Sequence, residues 1–157
     1  FWYYKNYTKL TKFEYSLLRK NGYSHLSNKK ALFIGGGPLP LTAIMMWKLY
    51  GIKSIAIDNN VDAVQKSRNI IKKLDLTHAI EVLHACGKSY AEYEHIGIVN
   101  IASLAGLDSD EKNKIINTVG KHIPKDTYVV VRSATGLRTL LYPPVEMNTI
   151  DTLDVCD

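Results

Sequence analysis

A run of glycines is the first part of this sequence whose residue types suggest chemistry. After an apolar stretch, Ala31–Ile34, the chain continues as Gly35-Gly36-Gly37-Pro38-Leu39-Pro40-Leu41-Thr42. Glycines allow the backbone to approach a ligand closely, and the prolines fix the entry to a helix whose first N–H groups have no helical partner. A tight turn that binds nothing is the alternative. Three consecutive glycines exceed what such a turn requires, so the segment favours a nucleoside ligand.

Pro40 and Asp58 narrow the class of nucleoside. Pro40 stands where a G-x-G-x-x-G dinucleotide site has its third glycine, which counts against NAD and favours S-adenosylmethionine. Asp58 follows a second apolar run about twenty residues further on, where a carboxylate can accept hydrogen bonds from both ribose hydroxyls. Its alternative role is to cap the next helix, which Asn59 or Asn60 could do equally well.

The segments that must position these residues alternate between apolar strands and helices. Because the expected strands are apolar throughout, they indicate a doubly wound α/β fold, with a mostly parallel sheet covered on both faces. In such a sheet the ligand lies beyond the carboxyl ends of the strands. The expected strands are Ala31–Ile34, Ile55–Ile57, Ile80–Leu83, Ile96–Ile101 and Tyr128–Val131, and the expected helices cover residues 2–20, 41–50, 61–74 and 109–122.

Two further segments make a family resemblance specific. Ala102–Gly106 reads A-S-L-A-G, and Val131–Val145 reads V-R-S-A-T-G-L-R-T-L-L-Y-P-P-V. With the glycine segment they resemble the nicotianamine synthase family, from the first helix to about Val145. The resemblance implies a Rossmann-like fold of the methyltransferase type that binds S-adenosylmethionine. It also implies transfer of the 3-amino-3-carboxypropyl group to an amine, release of methylthioadenosine, and synthesis of a metal-chelating amino acid, a metallophore.

The predicted nucleoside-binding residues follow three strands. In related sites an acid after the third strand often lies near the adenine amine, but Cys86 occupies that place, so adenine would be read by backbone groups. The full predicted set is Gly35, Gly36, Gly37, Pro38, Leu39, Pro40, Thr42, Asp58, Asn59, Cys86, Ser103 and Leu104.

Three residues near the end of the chain are predicted to bind substrate: Arg132, Arg138 and Tyr142. Both arginines are candidate carboxylate clamps, because a guanidinium makes paired hydrogen bonds. A structural ion pair is the alternative for each.

Two residues of the first helix are predicted to be catalytic. Tyr7 matches a functional tyrosine that the resemblance implies, and Glu14 lies seven residues later, on the same helical face. Tyr7 is expected to hydrogen-bond the amine or carboxylate of a bound aminobutyrate chain, with Glu14 orienting it. A core aromatic with a satisfied hydroxyl is the alternative for Tyr7.

Composition bounds the class of protein. The 157 residues are 46% hydrophobic and 22% charged, as in one soluble globular domain. The net charge of +5 comes from scattered residues, which favours anionic small-molecule ligands over nucleic acid. The two cysteines indicate neither a disulfide framework nor a zinc site, and a reducing cytoplasmic setting is expected. No apolar run reaches membrane-spanning length, and the implied chemistry requires no metal.

The first residues suggest a fragment, because Phe1-Trp2-Tyr3-Tyr4 is an aromatic density typical of a protein interior. Residues 1–28 are therefore predicted to end a helical domain and residues 29–157 to form the S-adenosylmethionine-binding domain, with truncation expected at its C-terminus. Helix 41–50 is apolar nearly all round, so we expect an upstream domain or a second copy, as in a homodimer, to cover it. The resemblance puts the catalytic glutamate upstream. A small-molecule methyltransferase and a non-catalytic nucleoside-binding remnant remain alternatives.

Overall fold

Strands and helices follow one another in the order expected, and they alternate except between the third and fourth strands. The structure, a computed structural model, describes residues 2–25, 28–106 and 108–133. The strands are β1 (Lys30–Ile34), β2 (Ser54–Asp58), β3 (Ile80–His84), β4 (Ile96–Ile101) and β5 (Tyr128–Val131). The helices are α1 (Trp2–Lys20), α2 (Leu41–Tyr50), α3 (Val61–Lys73) and α4 (Ser109–His122).

The five strands form one parallel sheet in the order β3-β2-β1-β4-β5. Phe33 at the centre of β1 lies opposite Ala56 of β2 on one side and Asn100 of β4 on the other. The strand order therefore reverses between β1 and β4, and a ligand crevice is expected where the carboxyl ends of these two strands separate. The doubly wound parallel fold predicted from the sequence is confirmed.

Local signals account for the helix ends. Asn60 begins α3, with its Oδ1 accepting a hydrogen bond from the backbone N–H of Ala63 at 2.9 Å. Asp108 caps α4 in the same way, accepting from the N–H of Glu111 at 2.8 Å. Each cap satisfies a backbone donor that has no partner within its helix. The residue types at positions 60 and 108 therefore account for where these two helices begin.

Side chains of β1 alternate between two apolar clusters, one on each face of the sheet. Ala31 and Phe33 belong to the cluster that includes residues of α1, α2 and α3. Leu32 and Ile34 belong to the other, which includes residues of α4. Five consecutive residues of α2, from Thr42 to Met46, are buried. The sequence predicts that a further element packs on α2. One such element is α1 of the same chain, which contacts α2.

The buried face of α1 differs from the face that its large apolar residues occupy. Leu10 and Phe13 are 36% and 48% exposed, whereas Thr11 and Glu14 are buried, with exposures of 0% and 4%. The predicted helix is confirmed, but a carboxylate points inward at its middle. Such a group needs a partner at the sheet, since a buried unpaired charge is costly.

Within residues 2–25, 28–106 and 108–133, no helix is both long enough and apolar enough to cross a membrane.

Candidate nucleoside site and buried ion pair

The glycine segment turns directly above the end of β2. Gly35 and Gly37 have φ angles of +80° and +65°, which residues with a side chain rarely adopt. The N–H groups of Gly35 and Gly36 both donate to the carbonyl of Ile57 at 3.0 Å. A Cβ on Gly36 would lie 3.2 Å from the Cβ of Ala56. Backbone conformation and close packing therefore explain why these three positions are glycine.

Asp58 joins this loop to the start of α3. Its Oδ2 accepts a hydrogen bond from the N–H of Gly37, and its Oδ1 accepts one from the N–H of Asn60, both at 2.9 Å. Asn60 caps α3, so the capping role considered for Asp58 belongs to Asn60. Each carboxylate oxygen can accept a second hydrogen bond. The half-buried Asp58 side chain therefore retains acceptor capacity for hydroxyl groups.

A cleft opens beside Asp58, along the carboxyl ends of β1, β2, β3 and β4. Five of the predicted residues line it together, although they come from four loops. Gly87 allows the close packing here, because a Cβ at that position would lie 2.5 Å from Cγ2 of Ile34. The predicted residues that line the cleft are Gly35, Asp58, Asn59, Cys86 and Leu104.

Two charged residues in the same cleft were missed by the sequence analysis. Lys88 and Glu111 both line it, and Lys88 Nζ lies 2.6 Å from Glu111 Oε1. This hydrogen bond raises the pKa of Lys88. Glu111 belongs to the first turn of α4, where an acid also complements the helix dipole. Its residue type therefore did not indicate that it lines a cleft. The cleft that Cys86 lines thus contains an acid besides Asp58, and α4 supplies it.

A second constellation, centred on Glu14, joins α1, α2 and the end of β5. Arg132 Nε and Nη2 donate to Glu14 Oε1 and Oε2 at 2.7 and 2.9 Å, a bidentate pair. Arg132 Nη2 also donates to Oγ1 of Thr42 at 3.0 Å. Asn100 Nδ2, from β4, lies 3.5 Å from Glu14 Oε2. The side chains of Glu14 and Arg132 are only 5% and 16% exposed, which accounts for the carboxylate on the buried face of α1.

These contacts alter the sequence interpretation of three residues. Arg132 forms the ion pair that was the alternative to a carboxylate clamp. Glu14 binds Arg132, a residue with which the sequence analysis did not connect it. Thr42, assigned to the nucleoside, has its hydroxyl engaged with Arg132. Their roles toward a ligand stay predictions.

The remaining predicted residues are dispersed. The Tyr7 ring is half-buried against the apolar cluster beneath α1 and α2. This position agrees with the alternative that Tyr7 is a core aromatic residue. Pro40 is buried, Pro38 is exposed, and Leu39 is 44% exposed. Ser103 is half-buried, and Leu104 is 66% exposed. Arg138 and Tyr142 lie outside the described residues.

A buried lysine is another residue that the sequence analysis missed. Lys112 of α4 has no exposed surface, and its Nζ lies between the ends of β4 and β5. A lysine in an amphipathic helix normally faces solvent, so the type and spacing of this residue gave no indication that it is buried.

In the part of the chain that the structure describes, no three histidine, cysteine or acidic side chains are grouped to hold a metal ion.

Comparison with known sequences and structures adds independent findings. Residues 1–157 match the family model described as nicotianamine synthase protein. Nicotianamine synthase 2 of Arabidopsis thaliana is 35% identical over 153 residues, which are 92% of this chain and 46% of that protein. Probable nicotianamine synthase 2 of Hordeum vulgare is 31% identical over 98% of this chain and 49% of its own length. The chain thus spans about half the length of these relatives.

Solved structures show the same likeness. A crystal structure of a mutant of MtNAS in complex with S-adenosylmethionine superposes with a TM-score of 0.79 at 29% identity, over 96% of this chain and 54% of that one. MtNAS in complex with MTA and tNA gives 0.78 at 28% identity, over 94% and 52%. Mitomycin 7-O-methyltransferase MmcR, at 15% identity and a TM-score of 0.63 over 88% and 39%, shares the fold. The sheet is therefore of the S-adenosylmethionine-dependent methyltransferase type, and the chain belongs to the nicotianamine synthase family.

Proposed function

We propose that this chain forms the S-adenosylmethionine-binding part of an aminocarboxypropyltransferase that builds a nicotianamine-like metallophore. The observation that carries the proposal is Asp58, which lies between the glycine loop and the cleft with acceptor capacity remaining on both oxygens. Family membership supports it, as does the likeness to MtNAS bound to S-adenosylmethionine. In this proposal residues 1–28 end a helical domain, and residues 29–157 form the binding domain.

The proposed reaction is a displacement at carbon. The nitrogen lone pair of an acceptor amine attacks the aminobutyrate carbon that is bonded to the sulfonium. The C–N bond forms, the C–S bond breaks with its electrons passing to sulfur, and methylthioadenosine leaves as a neutral thioether. The amine then gives up a proton to a base. Which of the three carbons on sulfur reacts depends on which one is held in line with the nucleophile.

The two constellations suggest how the substrate would lie. Asp58 binds the ribose hydroxyls, and adenine occupies the cleft between Cys86 and Glu111. Besides the backbone groups expected from the sequence, Glu111 is a candidate acceptor for the adenine amine. The aminobutyrate chain extends toward the crevice between β1 and β4. There Glu14 and Thr42 hold Arg132 Nε and Nη2, which orients the guanidinium so that Nη1 can bind a carboxylate.

Product analysis tests the reaction. The complete protein is incubated with S-adenosylmethionine and candidate amine acceptors. We expect it to release methylthioadenosine, which chromatography separates from S-adenosylhomocysteine. Release of S-adenosylhomocysteine instead would identify the protein as a methyltransferase. Nucleoside binding by the complete protein with neither product would identify a non-catalytic binding protein. The small-molecule substrate, the cytoplasmic location and a homodimer all remain part of the proposal.

A substitution tests the site directly. Asp58→Ala removes the acceptor of two ribose hydrogen bonds, and we expect the affinity for methylthioadenosine to fall at least about tenfold. Calorimetry measures this affinity, and circular dichroism establishes that the variant is folded. Asp62→Ala, at an exposed acid in the first turn of α3, is the matched control. Equal affinity in the Asp58 variant and the control would remove Asp58 from the site.

A further inference from the structure

Lys112 places an ammonium group in the protein interior, where a lysine is rarely found. Its Nζ donates to the backbone carbonyls of Ala102, Ser103 and Arg132 at 3.1, 3.0 and 2.6 Å. A lysine ammonium carries three donors on a single atom, so three carbonyls can accept all of them. The number and positions of the carbonyl acceptors therefore match the three N–H donors of a protonated lysine.

These three carbonyls belong to the two strand ends on one side of the crevice. Ala102 and Ser103 follow β4 directly, and Arg132 follows β5. The loop after β4 also packs against the same helix turn at Gly106, which has φ +90°; a Cβ there would lie 2.8 Å from the backbone nitrogen of Lys112. The ammonium and Gly106 thus hold the loop against α4 at two points.

The tethered backbone carries residues from both constellations. Leu104 and Gly106, on the β4 loop, line the nucleoside cleft. Arg132, whose carbonyl accepts from Lys112, uses its side chain to bind Glu14 and Thr42. We propose that Lys112 is a positioning residue that sets the cleft wall and Arg132 relative to each other, and this role rests on the proposed function.

The protonation of Lys112 provides a readout that packing alone would not produce. Burial lowers the pKa of Lys112 to about 8, so the ammonium keeps its three hydrogens at neutral pH and loses one as pH rises above that value. One carbonyl then loses its donor, so the contact between Nζ and the two strand ends changes with the protonation of Lys112. The other charged or titratable groups that the structure describes in this region are Asp58 after β2, Cys86 and Lys88 on the loop after β3, Asp108 at the cap of α4, Asp110 and Glu111 in its first turn, Arg132 beside β5, and Glu14 on α1.

Calorimetry with S-adenosylmethionine tests the proposal on two variants of α4. Lys112→Met keeps much of the side-chain length but has no donors, and we expect the affinity to fall at least about tenfold at pH 7. Lys114→Met, at an exposed position of the same helix, is the matched control and is expected to bind as the unmodified protein does. The affinity of the unmodified protein should also depend on pH between 7 and 9.5 more strongly than the affinity of Lys112→Met does.

Hydrogen exchange separates failure of this proposal from failure of the proposed function. Without any ligand, Lys112→Met should accelerate amide exchange in residues 102–106 and 132–133 and leave β1 and β2 unchanged. If the unmodified protein does not bind S-adenosylmethionine, the proposed function fails and the exchange result still tests the tether. Unchanged exchange and affinity in Lys112→Met would overturn the proposal. If that variant does not fold, protection factors of residues 102–106 and 132–133 that stay constant between pH 7 and 9.5 in the unmodified protein would overturn it.

Discussion

The two sides of the sheet's carboxyl edge are held by different physical means. On the side of β1 and β2, backbone conformation and backbone hydrogen bonds set the site: Gly35 and Gly37 adopt positive φ, and Asp58 binds two backbone N–H groups. On the side of β4 and β5, buried charges set it. Glu14 pairs with Arg132 across 118 positions of sequence, and Lys112 binds three carbonyls.

This difference predicts different sensitivities to substitution. A backbone-held loop is disturbed when a side chain is added, and the cost is the strain at that position. A charge-held region is disturbed when a charge is removed, because its partner is left buried without compensation. We therefore expect single substitutions on the β4–β5 side to destabilise the fold more than those on the β1–β2 side.

Glu14→Ala is expected to give the largest effect. It leaves the Arg132 guanidinium, only 16% exposed, without its anion. Breaking a buried pair in this way costs about 3–5 kcal/mol, measured as the free energy of unfolding in denaturant. Glu94→Ala, at an exposed acid, is the control and should be nearly neutral. The double variant Glu14→Ala/Arg132→Met should lose less than the two single losses added together; strict additivity would show that the pair is not coupled.

Gly35→Ala tests the backbone-held side. The substitution places a side chain at φ +80°, with its Cβ 3.3 Å from that of Ala105, and should cost about 1–2 kcal/mol of folding stability. The matched change is Gly120→Ala in α4, where a Cβ would meet nothing within 4 Å. That variant should gain about 0.5–1 kcal/mol, because alanine favours a helix. Equal melting temperatures for the two variants would contradict the strain at Gly35.

The pH dependence of stability sharpens the role of charge at Lys112. Its pKa in the folded protein, about 8, lies below the ordinary value of 10.5, so the unfolded chain binds the additional proton between these values. The stability contribution of Lys112 therefore rises with pH from 8 to 10.5, at less than about 1.4 kcal/mol per pH unit. Denaturation across this range should show that the free energy of unfolding of the unmodified protein increases relative to that of Lys112→Met as pH rises. A parallel trend in both would place its origin elsewhere.

Tyr7→Phe should give the smallest change in stability. The variant keeps the ring that packs against the cluster beneath α1 and α2 and removes only the hydroxyl, so the free energy of unfolding should change by no more than about 1 kcal/mol, the net contribution of an ordinary hydrogen bond. If Tyr7 acts on the transferred chain, turnover by the complete enzyme should fall while the melting temperature stays nearly constant. A lower melting temperature with unchanged turnover per folded molecule would make Tyr7 a core residue only.

Much of the fold follows from local sequence, because short-range patterns carry the information that a strand, a turn or a helix cap needs. Helix 109–122 was predicted with the bounds it has, from acids in its first turn and basic residues in its last. The glycine turn and the placement of Asp58 at the end of β2 also follow locally, since a positive φ and the end of a strand depend on neighbouring residues.

Only the tertiary structure decided which charges are buried and with what. Glu14, Arg132 and Lys112 have the residue types of solvated helix faces and loop ends, and nothing adjacent to them in sequence marks them as interior. Their burial depends on α1 crossing α2 and on β5 pairing with β4, which bring together groups 118 positions apart. Periodicity predicts that a residue lies on a helix face, but the energy of a buried charge depends on partners that the chain supplies from elsewhere.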